Sequence, residues 1–191
     1  MTDALDLLKT RKSISAQFLA GPGPTDAELT EMLTIAARVP DHGKLTPWRF
    51  ILFKGDERRK AGEALAKLFA TRNPAADEKQ IEEERARFAR APLVVAVVSR
   101  AAAHPKIPEF EQLLSAGNAA FNLELAAHAL SYAAQWTTGW VAYDEEAGRI
   151  LGLQPGERFV GFIHIGKSTV PFTDRPRPAL GDVVSEWKAP T

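Results

Sequence analysis

The chain of 191 residues contains no cysteine, which excludes disulfides, thiolate metal sites and a cysteine nucleophile. It has no surplus charge of either sign. Its 24 Lys and Arg balance 24 Asp and Glu, and no long stretch is uniformly basic, so the electrostatic footprint of a generic nucleic-acid or anionic-membrane binder is missing. Long apolar runs are absent too: the longest that reads as a strand, Pro92 to Val98, is far too short to span a bilayer as a helix. Met1 leads directly into Thr2 and Asp3 with no basic segment and apolar run behind it, so no signal-peptide pattern is read and a cytoplasmic protein is expected. No Gly-x-Ser-x-Gly elbow, no His-Glu-x-x-His and no internal repeat occurs.

What is present suits one sizeable core. A hydrophobic content of 45% over this length predicts a single domain, residues 1–191. Thr2 or Asp3 can cap a first helix carrying Leu5, Leu7 and Leu8 and ending near Arg11, whose cation complements the last carbonyls. Gly21-Pro22-Gly23-Pro24 breaks the chain, and Thr25 with Glu28 forms a capping box for a helix that buries Leu29, Met32, Leu33 and Ala36 and stops before Pro40. Trp48 to Lys54 reads as a strand, Asp56 opens a helix, and Asp77 to Arg90 reads as a charged, solvated helix or lid. Pro92 to Ser99 is apolar on both faces, the mark of a central strand. A long Ala-rich helix, Glu109 to Ala133, is apolar nearly all round. It should be covered on several sides, in part by a second subunit, which predicts a homodimer. Strands over Gln135 to Val141 and Phe159 to Ile165, with an Asp144-capped helix between them, complete an α+β fold with a central mixed or antiparallel sheet flanked by helices. The proline-punctuated segment from Thr169 predicts an extended C-terminal arm reaching toward a partner.

Arg11-Lys12-Ser13 offers two fixed cations and a hydroxyl to a doubly charged phosphate. Arg38 to Trp48 supplies a rigid, proline-bounded loop leading into a strand. Gly161 to Ser168 satisfies the spacing of a P-loop, but Phe-Ile-His-Ile between its glycines reads as a strand, and no helix-forming stretch follows Ser168. A P-loop-type nucleotide-binding protein is therefore a disfavoured alternative. Glu124 and His128 lie four apart on one helical face; with no third ligand at a helical offset, a paired polar face is expected and no metal site. Trp48, Trp136, Trp140 and Trp187 read as core residues or stacking planes, core being the more common.

In order and spacing, Arg11-Lys12-Ser13, Ala37-Arg38-Val39-Pro40 and Thr46-Pro47-Trp48-Arg49-Phe50 resemble the nitroreductase family. Arg90-Ala91-Pro92 with the strand after it, Ser115 to Ala120 opening a long helix, and Gly161 to Gly166 carry the resemblance over nearly the whole chain. The likeness is to the compact subgroup with Asp-His after the proline. It implies a nitroreductase-like fold, an interlocked homodimer with a flavin at each interface, and an FMN-dependent oxidoreductase. Such an enzyme passes hydride from NADH or NADPH through flavin to a nitroaromatic, quinone or similar flat acceptor in ping-pong fashion. By position, the resemblance implies FMN contacts from Arg11, Lys12, Ser13, Arg38, His42, Trp136, Thr137, Thr138, Arg175 and Arg177. It implies nicotinamide-dinucleotide contact from Ala126, Ala127, His128, Ala129, Leu130 and Ser131. No catalytic side chain is expected, because a flavin carries the redox chemistry itself. Two departures stand out. Ser15 occupies the position of the family's usual Lys or Arg, and Asp41, Lys44 and Thr46 replace its common serine, asparagine and glutamine. They bear on flavin potential and substrate preference, and leave open a flavoprotein of this fold with specialised non-nitro redox chemistry.

Overall fold

The structure, a computed structural model, describes residues 3–190. Met1 and Thr2, on which the reading of the chain start and of an alternative first cap rests, lie outside the described residues with Thr191. Asp3 is the cap of α1 (Ala4–Thr10), its carboxylate accepting from the amide of Leu5 at 2.8 Å. α1 buries no residue, so Leu5 and Leu8 do not reach a core as their spacing suggested. After a 3-10 turn (Ala16–Phe18) and the two-residue β1 (Leu19–Ala20), the Thr25 and Glu28 capping box opens α2 (Asp26–Ala36) as expected, with Leu29, Met32 and Ala36 buried.

β2 (Trp48–Lys54) has the predicted bounds. It leads into α3 (Glu57–Arg72) and the charged α4 (Glu78–Ala86). α4 is anchored rather than freely solvated: a Cβ on Gly62 of α3 would stand 2.0 Å from the Arg85 carbonyl, and buried Glu84 takes a bidentate Arg87 fork and the Trp140 indole N–H. β3 (Leu93–Ser99) is buried at every residue. α5 (Glu109–Ala129) ends four residues earlier than expected because Ser131 takes a left-handed φ of 61°. The amides of Ser131 and Tyr132 then bond back to the carbonyls of His128 and Ala127, a Schellman closure built on serine where glycine is usual.

That early stop moves the next strand. β4 spans Ala133–Thr137, not Gln135–Val141; Gly139 at φ 76° turns the chain into a 3-10 turn (Trp140–Ala142). α6 (Glu145–Ile150) is capped by Asp144. β5 (Arg158–Ser168) runs through Gly166, Lys167 and Ser168. The P-loop reading is thereby excluded: the Lys167 ammonium donates to the Ser131 carbonyl and lies 3.5 Å from the centre of the Tyr132 ring. Residues 171–179 carry no regular structure, and α7 (Leu180–Val183) is one exposed turn.

β2, β3 and β5 are neighbours in that order, and β4 and β1 share the far edge of β5, every pairing being antiparallel. Alternate residues of β3 feed two cores. Leu93, Val95 and Val97 face α2 and α5; Val94, Ala96 and Val98 face α3, α6 and Phe88. The sheet thus lies between two helical layers, which explains why its central strand shows no polar alternation.

α5 is not covered all round. Phe110, Leu114, Gly117 and Phe121 form one helical stripe; the three large side chains are exposed, and among the described residues nothing lies within 4 Å of a Cβ placed on Gly117. Trp48 is a core residue and Trp187 lies in solvent.

Candidate functional site

The chain leaves α1 at Arg11 and runs extended past Ser13, held to β4 by the Ile14 amide on the Ala134 carbonyl (3.0 Å) and the Ala16 amide on Gln135 Oε1 (2.6 Å). The segment after β5 folds back over it. Between them lies a cavity of about 530 Å³. Arg11, Lys12 and Ser13 line it from the chain's start, and Thr173, Asp174, Arg175 and Arg177 from its tail. Phe121 and Glu124 of α5 form its floor with Trp136 of β4.

Its polar groups are unevenly satisfied. Arg11 Nε is buried with no hydrogen-bond partner among the described residues, and its guanidinium carbon lies 5.8 Å from the centre of the Phe121 ring. Lys12, buried, donates from Nζ to the Thr173 carbonyl and sits over the Phe172 ring. Asp174 Oδ1 accepts from Arg177 Nη2 and from the Arg175 amide, both at 2.8 Å; Arg177 foremost holds the Asp174 carboxyl below the usual range. Glu124 Oε1 accepts the Trp136 amide at 3.1 Å, and burial pushes the Glu124 carboxyl up against the opposing pull of Arg11. A second cavity of about 380 Å³ shares Arg11 and is lined by His128, Ser131, Ser168 and Phe172. Burial, with Arg11 adding to it, pushes His128 down to about 4.

Six of the expected cofactor residues therefore converge: Arg11, Lys12, Ser13, Trp136, Arg175 and Arg177. Lys12 does so as a clasp on the tail more than as a free cation. Thr137 and Thr138 follow on the same strand end, Thr137 Oγ1 donating to the Phe162 carbonyl at 3.4 Å. Trp136 lies against Gly161, where a Cβ would stand 2.1 Å from its Nε1. Arg38 and His42 do not line this cavity. His42 Nδ1 pairs with Glu111 Oε2 at 2.8 Å, and thirteen residues of α5 separate Glu111 from Glu124, about 20 Å.

Three expectations are corrected. Ala126 and Ala127 are core residues, so only His128 and Ser131 of the stretch 126–131 line a cavity; half-buried Ala129 and Leu130 line neither. Glu124 and His128 do not pair with each other, because the fold sets Arg11 against their shared face. Arg11 itself turns into the cavity instead of complementing the end of α1. Phe121, Glu124, Thr173 and Asp174 were missed. The signal for Glu124 was a single acid inside an otherwise apolar helix stretch, at i+3 from Phe121.

The departing residues of the 41–46 loop hold one another. Asp41 accepts the amides of Leu45 (3.1 Å) and Thr46 (2.9 Å), while Gly43, Lys44 and Thr46 all take positive φ. A β-branched residue such as Thr46 at φ 49° is strained, and this strain borders β2.

An antiparallel sheet between two helical layers, with a cation-lined cavity closed by the chain's own start and tail, defines an α+β protein with a candidate anion-binding site. The chain belongs to the nitroreductase family, whose model matches residues 8–167. It is 32% identical over 164 residues to the Escherichia coli (strain K12) protein named "Putative NAD(P)H nitroreductase YdjA", covering 86% of this chain and 87% of that one. A Haemophilus influenzae protein also named as an NAD(P)H nitroreductase, with the same qualifier, is 34% identical over 165 residues, 86% of this chain and 88% of its own. In fold it matches a nitroreductase-like family protein from Bacillus cereus (TM-score 0.82, 21% identity, 99% and 98% coverage). It also matches a Bacteroides fragilis nitroreductase solved with bound FMN (TM-score 0.73, 19% identity, 98% and 100% coverage).

Proposed function

We propose that this chain, as one domain over residues 1–191, is an FMN-dependent oxidoreductase. It takes hydride from NADH or NADPH and delivers it to a nitroaromatic, a quinone or a similar flat acceptor in alternating half-reactions. The observation that carries this is the meeting of Arg11, Ser13, Arg175 and Arg177, more than 160 residues apart in the chain, on one cavity. The donor set fits a phosphate monoester dianion, which needs charge-assisted donors from several directions. Arg11 Nε, buried without a partner, marks a donor awaiting an acceptor. Bound FMN would supply the hydride chemistry itself, so no side chain of the cavity need act as acid, base or nucleophile.

The chain's own tasks follow. Arg11, Arg175 and Arg177 hold the dianion, with Lys12 keeping the tail in place through Thr173. Trp136, Thr137 and Thr138 would contact the ring, Trp136 being fixed by its amide on Glu124 and its indole N–H on the Val160 carbonyl at 3.2 Å. Arg38, His42 or Lys44 offsets negative charge on the reduced ring. Because His42 lies far along α5 from the cations, these residues serve from a second copy of the chain. The exposed stripe of Phe110, Leu114 and Phe121 supports that homodimer, as do Leu180, Val183 and Trp187, all left uncovered on the arm. His128 and Ser131, in the adjoining cavity, are the proposed contacts for the nicotinamide dinucleotide.

No helix among the described residues is long and apolar enough to cross a membrane, and the cytoplasm is the proposed setting. The strained loop of Asp41, Lys44 and Thr46 favours a second reading in which the same flavin site serves a specialised non-nitro reduction or oxidation. The test is anaerobic. NADH or NADPH should bleach the flavin absorption of the FMN-loaded protein, and a nitroaromatic or quinone should restore it. Flavin that stays oxidised under both nicotinamides overturns the reductase reading.

A further inference from the structure

The cavity that gathers the cations also holds a buried carboxyl that phosphate binding does not require. Glu124 is 4% exposed and stands between Arg11 and Trp136. A carboxylate there repels an incoming dianion, so an apolar residue would serve the phosphate better. Its Oε1 takes the Trp136 amide, while Oε2 has no hydrogen-bond partner among the described residues. That oxygen is not sealed off by protein atoms: Glu124 lines the cavity, and a donor brought by the ligand can reach it there.

Chemistry narrows that donor. The arginines and lysine around the cavity can only donate, so they cannot receive a hydroxyl proton. Asp174, the other carboxylate, lies exposed on the tail with Oδ1 already shared by Arg177 and the Arg175 amide, whereas Glu124 is buried on the cavity floor. Glu124 is thus the buried carboxylate acceptor of the cavity floor, neighbouring both Arg11 of the cation cluster and Trp136. In the proposed cofactor a polyhydroxylated chain joins the phosphate to the ring.

Resting on the FMN reading, we infer that Glu124 is a cofactor-contacting residue that accepts a hydrogen bond from a hydroxyl of the ribityl chain. The site thereby selects a polyol phosphate over an alkyl phosphate of equal charge.

A chemical double cycle tests this. Apoprotein, as wild type, Glu124→Leu and Glu124→Gln, is titrated by flavin fluorescence with FMN and with a flavin whose phosphate hangs from a plain alkyl chain. Wild type should prefer FMN by about tenfold or more, the worth of one hydrogen bond to a charged group. Glu124→Leu should weaken FMN by about 10- to 100-fold and the alkyl analogue by less than about threefold. Glu124→Gln, whose amide oxygen still accepts, should keep most of the preference. Equal losses on both flavins would mean that Glu124 acts only through the Trp136 amide, and the assignment fails. Equal wild-type affinities overturn it without any variant, so a Glu124→Leu that does not fold leaves the test intact. Wild type that binds neither flavin overturns the FMN reading itself, a distinct result.

Discussion

The Lys12 ammonium donates to the backbone carbonyl of Thr173, and this bond, with Arg177 Nη2 on the Arg11 carbonyl at 3.5 Å, clasps the tail onto the chain's start over the cation cavity. Lys12 is buried and its charge lies over the exposed Phe172 ring, so the clasp is shielded on the Lys12 side and open on the tail side. Lys12→Met keeps the apolar stem and removes the donor. Chymotryptic cleavage after Phe172 should then accelerate several-fold with the folded core intact. A cleavage rate equal to wild type would show that the tail is held by something else.

Acid should weaken the fold through two histidines. Burial, then nearby cations, pushes His128 and His164 down to about 4; the cations are Arg11 for His128, and Arg90 and Arg87 for His164. Each takes a proton more readily unfolded than folded. Stability from this source is complete above pH 6.5 and is lost as pH falls toward 4, by up to about 3 kcal/mol per histidine. His164 Nδ1 is buried without a partner, so His164→Leu sacrifices no hydrogen bond there. Urea midpoints measured from pH 7 to pH 4 should fall less steeply for His164→Leu than for wild type, and parallel slopes would refute the assignment.

The seat of Trp136 depends on a missing side chain. A Cβ at position 161 would stand 2.1 Å from Trp136 Nε1 and 2.8 Å from the Thr137 carbonyl. Gly161→Ala should therefore cost about 2–4 kcal/mol in urea unfolding and displace Trp136, visible as altered tryptophan fluorescence. An unchanged midpoint would mean that the strand yields at no cost.

Leu114 lies at the centre of the exposed α5 stripe and outside the cation cavity. If that stripe is a self-complementary interface, Leu114→Glu puts two like charges near its axis. Sedimentation should show wild type as a dimer and the variant as a monomer. A variant that sediments with wild type places the interface elsewhere.

How far the sequence could be read depended on whether local signals agreed. Thr25 with Glu28 and the doubly apolar Leu93–Ser99 carry their own mechanism, and α2 and the central strand stand where expected. The end of α5 was misread because Ser131, not glycine, adopts the left-handed turn; β4 was displaced with it, since Ala133 and Ala134 carry no strand preference. Of the candidate site, the sequence pointed to two segments that the fold brings onto one cavity, Arg11 to Ser13 and Arg175 with Arg177. The floor of that cavity was not legible. Glu124 and His128 looked like partners at helical spacing, and only the tertiary approach of Arg11 gives them separate surroundings.

The account stands most directly on an absorbance spectrum of the protein as isolated. It predicts a yellow protein with a flavin band, FMN released on denaturation, and loss of that band when Arg11→Ala and Ser13→Ala are combined. A colourless wild-type protein that takes up no added FMN would contradict it.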